Sequence, residues 1–231
     1  MHEYASLQLF LDDQFEAAQE RIIYTITSYM DGLGYTPCRL ESAERTIAFA
    51  RVKGGYAVFD DCADRQDSRA LTSLARWLTL KLGTSAVGII GCRDGFILKL
   101  YREGVLLDTF STFSTKTFGK ILKFQGRAIR WRTVLGKNVE IRDLAAAFQK
   151  AREDPDNGFE ELKVLLSLDD SAGYGFASIK DAGLQGVVWM YFNAANHVRQ
   201  RWYERVFHAP SRCGGAAPTA FAHEKECKNS E

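Results

Sequence analysis

Residues 86–111 read AVGIIGCRDGFILKLYREGVLLDTFS, and their punctuation sets the architecture. Three apolar runs, 86–92, 96–102 and 105–111, are separated by Arg93-Asp94-Gly95 and Glu103-Gly104. Such short polar, glycine-containing breaks reverse the chain tightly, so the stretch predicts a β-meander. Immediately before it, Leu71, Leu74, Ala75, Leu78 and Leu82 recur at helical spacing. Asp67 or Ser68 supplies the N-cap of that helix, and Gly83 stands where a residue of positive φ ends it. Further back, TIAFARV (46–52) and YAVFD (56–60) flank Lys53-Gly54-Gly55, which reads as a hairpin. Residues 4–11 (YASLQLFL) suggest a strand. Asp12 or Asp13 then caps a helix over 13–31, with Phe15, Ala18, Ile22, Ile26, Tyr29 and Met30 on one face and Gly32 and Gly34 after it.

The predicted class is α+β, with β-α-β-β-α-β-β-β order and a largely antiparallel sheet whose two helices cover one face. The first six elements match a split βαβ pattern, so the expected topology is a ferredoxin-like core extended by a hairpin. That fold selects no function. A mostly helical C-terminal half is expected to follow, with helices over 139–151 and 157–168 around Glu153-Asp154-Pro155-Asp156. Residues 173–186 are glycine-rich and read as irregular. Val187 to Phe192 fits a strand or the buried start of a helix, and a helix over 194–207 has Val198, Trp202, Tyr203 and Val206 on one face. The expected division is a sheet domain over 1–138, a helical C-terminal subdomain or extension over 139–208, and a mobile tail over 209–231.

With 231 residues, 46% of them hydrophobic, the chain has enough apolar surface for one sizeable core. Lys and Arg number 30 against 29 Asp and Glu, so the whole molecule has no general attraction to polyanions or anionic membranes. The longest apolar runs fall far short of the roughly 20 residues that span a bilayer, and MHEYASLQLFLDD lacks the basic start of a signal peptide. Five scattered cysteines form no framework. Together these features predict a cytosolic protein with reduced thiols.

Charge is segregated along the chain. Residues 116–137, KTFGKILKFQGRAIRWRTVLGK, carry Lys116, Lys120, Lys123, Arg127, Arg130, Arg132 and Lys137, and no acidic residue lies between Asp108 and Glu140. Subtracting these seven charges from the net +1 leaves −6 for the remainder. One reading has the cations neutralising phosphates while Phe113, Phe118, Phe124 or Trp131 stack on unpaired bases. Another is a solvated cationic strand pair, with Ala128, Ile129 and Trp131 packing inward and Arg130 and Arg132 pointing outward. An acidic protein partner fits the same charge pattern.

Asp60, Asp61, Asp64 and Asp67 cluster between a strand end and a helix start. Hard carboxylate oxygens of this kind suit Mg²⁺, although Asp67 as a cap and neutralisation by Arg65 and Arg69 explain them structurally. Cys62 among aspartates would have a raised pKa and make a poor nucleophile. His208, Cys213, His223 and Cys227 are donors of the type zinc selects, without the close cysteine pair of specific zinc motifs. Gly173-Tyr174-Gly175 lacks the third glycine and preceding strand of a dinucleotide loop. P-loop, nucleophile-elbow and zinc-protease motifs are absent from the sequence, so no cofactor is expected. The stretch from Asp60 to Ser111, an acidic turn, a helix ending LTLKLG and then the meander, is similar to uncharacterised bacterial proteins; the resemblance implies no activity.

The functional expectation is a non-catalytic interaction protein of adaptor or immunity type, with a protein partner and no membrane association. Its binding residues would be Lys116, Lys120, Lys123, Arg127, Arg130, Trp131, Arg132 and Lys137. The alternatives are nucleic-acid binding through 116–137, and a metal-dependent phosphoesterase using Asp60, Asp61 and Asp64.

Overall fold

A computed structural model describes residues 4–11, 15–65, 67–113, 126–179 and 183–194. The expected helix over 194–207 and tail over 209–231 lie outside the described residues, apart from the first position of that helix, Ala194, which ends a strand.

Alternation along β1 (Tyr4–Phe10) builds a sheet with two packed faces. Ala5, Leu7 and Leu9 enter one core, while Tyr4 enters another and Ser6 and Gln8 are buried beside it. The other strands are β2 (Tyr35–Pro37), β3 (Arg45–Val52), β4 (Gly55–Asp60), β5 (Ser85–Cys92), β6 (Gly95–Arg102), β7 (Val105–Ser111) and β8 (Val188–Ala194). They form one eight-stranded sheet in the order β2-β8-β3-β4-β1-β5-β6-β7, antiparallel at every pairing.

Two long helices, α1 (Phe15–Gly32) and α3 (Ser68–Leu82), cover the first face. Their apolar stripes are the predicted ones: Ile22, Ile26, Tyr29 and Met30 of α1 and Leu71, Leu74, Leu78 and Leu82 of α3 are buried. The Asp67 side chain accepts from the backbone N–H groups of Arg69 and Ala70, and Gly83 closes α3 at φ 63°. A single turn, α2 (Asp61–Asp64), joins β4 to this helix region.

The second face carries a 3₁₀ segment (Ala128–Val134), α4 (Ile141–Glu153) and α5 (Pro155–Leu165). Aromatic rings knit this layer to the meander. Phe110 stacks on Phe148 with centroids 4.3 Å apart, Trp131 meets Phe148 edge-on at 5.6 Å, and Phe96 lies 4.9 Å from Phe159. Beneath β3 and β4 a smaller cluster of Ala48, Ala57, Phe59 and Ile179 is covered by irregular chain.

The sheet departs from the expected order in two places. β2 is a three-residue strand ending in Pro37, too short for any periodicity to announce, and β8 resolves the ambiguous 187–192 run as a strand inserted between β2 and β3. A strand pair at the basic segment is also corrected. Its described part is helical from Ala128 to Val134, because Ala128, Trp131 and Val134 fall at the three-residue period that points one ridge inward. Among the described residues no helix is long and apolar enough to cross a membrane.

Candidate interaction surface

The basic segment is anchored by its tryptophan. Trp131 is fully buried, and its indole N–H donates to Asp108 Oδ2 at 2.8 Å. The Arg127 backbone N–H donates to the same oxygen at 2.6 Å. Asp108 itself is buried on β7, so one carboxylate fixes both ends of a helical turn against the sheet. Indole burial and a charge-assisted bond are what hold a cationic stretch on an apolar face.

The same stretch closes the sheet edge. The outward carbonyl of Thr109 accepts from the Gly126 N–H at 2.9 Å, and that of Leu107 accepts from the Arg130 guanidinium at 2.8 Å. An open β7 edge would otherwise template pairing with other chains. Arg130 is therefore half-buried and works on the edge rather than pointing freely outward.

What remains outside is cationic with one large apolar residue. Arg127, Arg132 and Lys137 are exposed, and Ile129, expected to pack inward, is 59% exposed. Positions three apart eclipse in a 3₁₀ helix, which places Ile129 and Arg132 on one ridge. No carboxylate among the described residues pairs with Arg127, Arg132 or Lys137. Of the expected binding residues, these three are exposed, Arg130 is half-buried, Trp131 is withdrawn into the core, and Lys116, Lys120 and Lys123 lie outside the described residues, as do Phe118 and Phe124.

The acidic run is used within the fold. Asp60 is buried and pairs with Arg45 through Nε–Oδ1 at 3.1 Å and Nη2–Oδ2 at 2.5 Å, and it also caps α2 at the Cys62 N–H. Arg45 was not singled out in the sequence, yet a signal existed. Asp60 faces Ile47 in the β3–β4 register, so Arg45 is its diagonal neighbour on the same face. Asp64 accepts from the backbone N–H groups of Ala5 and Ala177, both at 3.1 Å. The chain passes so close that a Cβ on Gly175 would lie 2.1 Å from Asp64 Oδ1.

Asp60, Asp61 and Cys62 place ligand-type atoms within 4.8 Å of one another. Cys62 is fully buried, and Cys38 and Cys92 are free thiols. Asp61 keeps one buried oxygen without a hydrogen-bond donor, and burial, then the Asp60 charge, raises its pKa to about 6. His208, Cys213, His223 and Cys227 lie outside the described residues.

No protein family, curated protein or solved structure was found to match this chain.

Proposed function

We propose that this protein is a non-catalytic interaction module whose patch of Arg127, Ile129, Arg132 and Lys137 docks on an acidic protein surface. The observation that carries the reading is the division of labour within the segment: Trp131 is used in the core while Ile129 and the cations Arg127, Arg132 and Lys137, which pair with no carboxylate among the described residues, are left exposed. An apolar knob with a charged rim matches the usual plan of a protein interface, where the rim steers encounter and the desolvated centre holds. We read the platform beneath it, strands β5-β1-β4-β3 with α1 and α3, as a split βαβ core of ferredoxin-like type.

Nucleic acid is the second reading, favoured by the same exposed cations. Against it, Trp131, the stacking candidate within the turn, is buried. Capture of partners from the protein's own cell extract, with and without nuclease, tests the two. A partner that survives nuclease with the natural protein and is lost with Arg132→Glu/Lys137→Glu supports protein docking; one lost to nuclease alone supports nucleic acid, and an unaltered partner set with the double variant removes the patch from consideration.

A further inference from the structure

Gly158, in the first turn of α5, has no room for a side chain: a Cβ there would lie 2.3 Å from Ala151 Cα and 2.4 Å from Ala151 Cβ on α4. The close crossing of the two helices therefore demands glycine at 158, and the residue before it is Asn157. Packing so creates an Asn-Gly pair, the dipeptide most given to deamidation, with Asn157 exposed and Gly158 buried. Glycine promotes that reaction because its unhindered backbone lets its nitrogen swing onto the asparagine side-chain carbonyl.

The folded turn keeps the reacting atoms apart. The Gly158 N–H donates to the Asp154 carbonyl at 2.9 Å, so the nucleophilic nitrogen is held in the first turn of the helix. Asp154, the N-cap, also grips the asparagine at both ends: Oδ1 accepts from the Asn157 backbone N–H at 3.2 Å and Oδ2 from Nδ2 at 2.6 Å. Ring closure further requires the glycine nitrogen to eclipse the asparagine Cβ, a ψ of about −120°, whereas a helical residue holds about −42°. A second tie, Lys150 Nζ to Glu161 Oε2 at 2.6 Å, joins α4 to α5.

We propose that the α4–α5 turn is a gated deamidation site, in which Asn157 is inert while Asp154 clamps it and converts when the first turn of α5 opens. In the opened turn the Gly158 nitrogen gives its proton to hydroxide and attacks Asn157 Cγ. The new C–N bond closes a succinimide as the Cγ–Nδ2 bond breaks, and Nδ2 takes a proton from water and departs as ammonia. Water then adds to one of the two ring carbonyls and opens the ring to aspartate or isoaspartate, so the net change is water in and ammonia out. Neither product restores the clamp. Aspartate sets a second carboxylate against Asp154 where Nδ2 had donated, and isoaspartate inserts an extra carbon into the main chain directly before the glycine that fits against Ala151. A molecule that has opened here is thereby permanently marked. The site is separate from the basic segment and stands whether or not that segment binds a partner.

The test incubates the full-length protein at pH 8, folded and in concentrated guanidinium chloride, and follows Asn157 by peptide mapping with mass spectrometry that resolves isoaspartate. The folded protein is expected to convert at least about tenfold more slowly than the unfolded chain, slowed by the same factor as hydrogen exchange at the Gly158 amide. Asp154 is exposed, and Asp154→Ala, which removes the clamp, is expected to speed conversion at least about threefold with unchanged circular dichroism. Asp154→Ser, which keeps a cap for the backbone N–H but releases Nδ2, should fall between the two, and Asn157→Asp should lower the melting temperature. Conversion of the folded protein as fast as the unfolded chain, or rates in both Asp154 variants equal to that of the natural protein, overturns the proposal.

Discussion

Replacing Trp131 by phenylalanine separates an anchoring role from a binding role. The indole is fully buried and donates to the buried Asp108 carboxylate at 2.8 Å. Phenylalanine keeps a ring against Phe148 but removes the N–H, and a lost bond to a charged acceptor costs about 1.5–3 kcal/mol. The smaller ring forfeits roughly 40 Å² of burial, adding about 1 kcal/mol. The total, about 2.5–4 kcal/mol, lowers the melting temperature by roughly 5–15 °C for a chain of this size. Arg132→Ala, at an exposed position, should move stability by less than about 0.5 kcal/mol. Urea melts followed by circular dichroism read both variants. A Trp131→Phe protein as stable as the natural one refutes the anchor; a weakened nucleic-acid affinity with unchanged stability would reassign the ring to base stacking.

Three further outcomes follow from the acidic run. Asp60→Ala strands the buried Arg45 guanidinium and should destabilise by about 3–5 kcal/mol in urea melts, whereas replacing both partners with apolar residues of similar volume should cost much less. Asp61 has a folded pKa raised above its unfolded value, so ionisation penalises the fold above pH 6 and the penalty fades as pH falls through 6 toward 4. Asp61→Asn should therefore stabilise the protein at pH 7 by on the order of 1–2 kcal/mol and do nothing at pH 3, checked by melts across that range. Asp64→Ala frees the amides of Ala5 and Ala177 and should raise hydrogen exchange at both positions.

The meander, the β3–β4 hairpin and the two helices of the first face are legible in the sequence because each carries its own period and its own punctuation. Leu71 to Leu82 between Asp67 and Gly83 is the clearest case, where stripe, cap and stop coincide. β2 and β8 are not legible. Tyr35–Pro37 is too short to show alternation, and every residue of β8 but the buried Phe192 is half-buried, which removes the contrast that separates strand from helix. Of the candidate site, the charge segregation and, in the strand-pair reading, the inward packing of Trp131 are visible, while the exposure of Ile129 is not. Arginine at 130 and 132 suggests a two-residue alternation, and the buried Asp108, nineteen residues before Arg127, anchors the 3₁₀ turn that buries the indole and exposes Ile129. Arg45 and Asp60 pair diagonally across the β3–β4 hairpin, whose register carries the signal, while the sequence alone points to the local Arg65 and Arg69.

The patch is tested most directly by placing a photo-crosslinking amino acid at Ile129 and, separately, at Val164, an apolar residue of α5 that is 76% exposed. Irradiated in the cell, the protein labelled at 129 is expected to yield a discrete adduct that resists nuclease, is digested by protease and disappears when Arg132→Glu and Lys137→Glu are added, while the protein labelled at 164 yields none. Equal adducts at both positions, or an adduct at 129 indifferent to the charge reversals, would contradict a docking role for this surface.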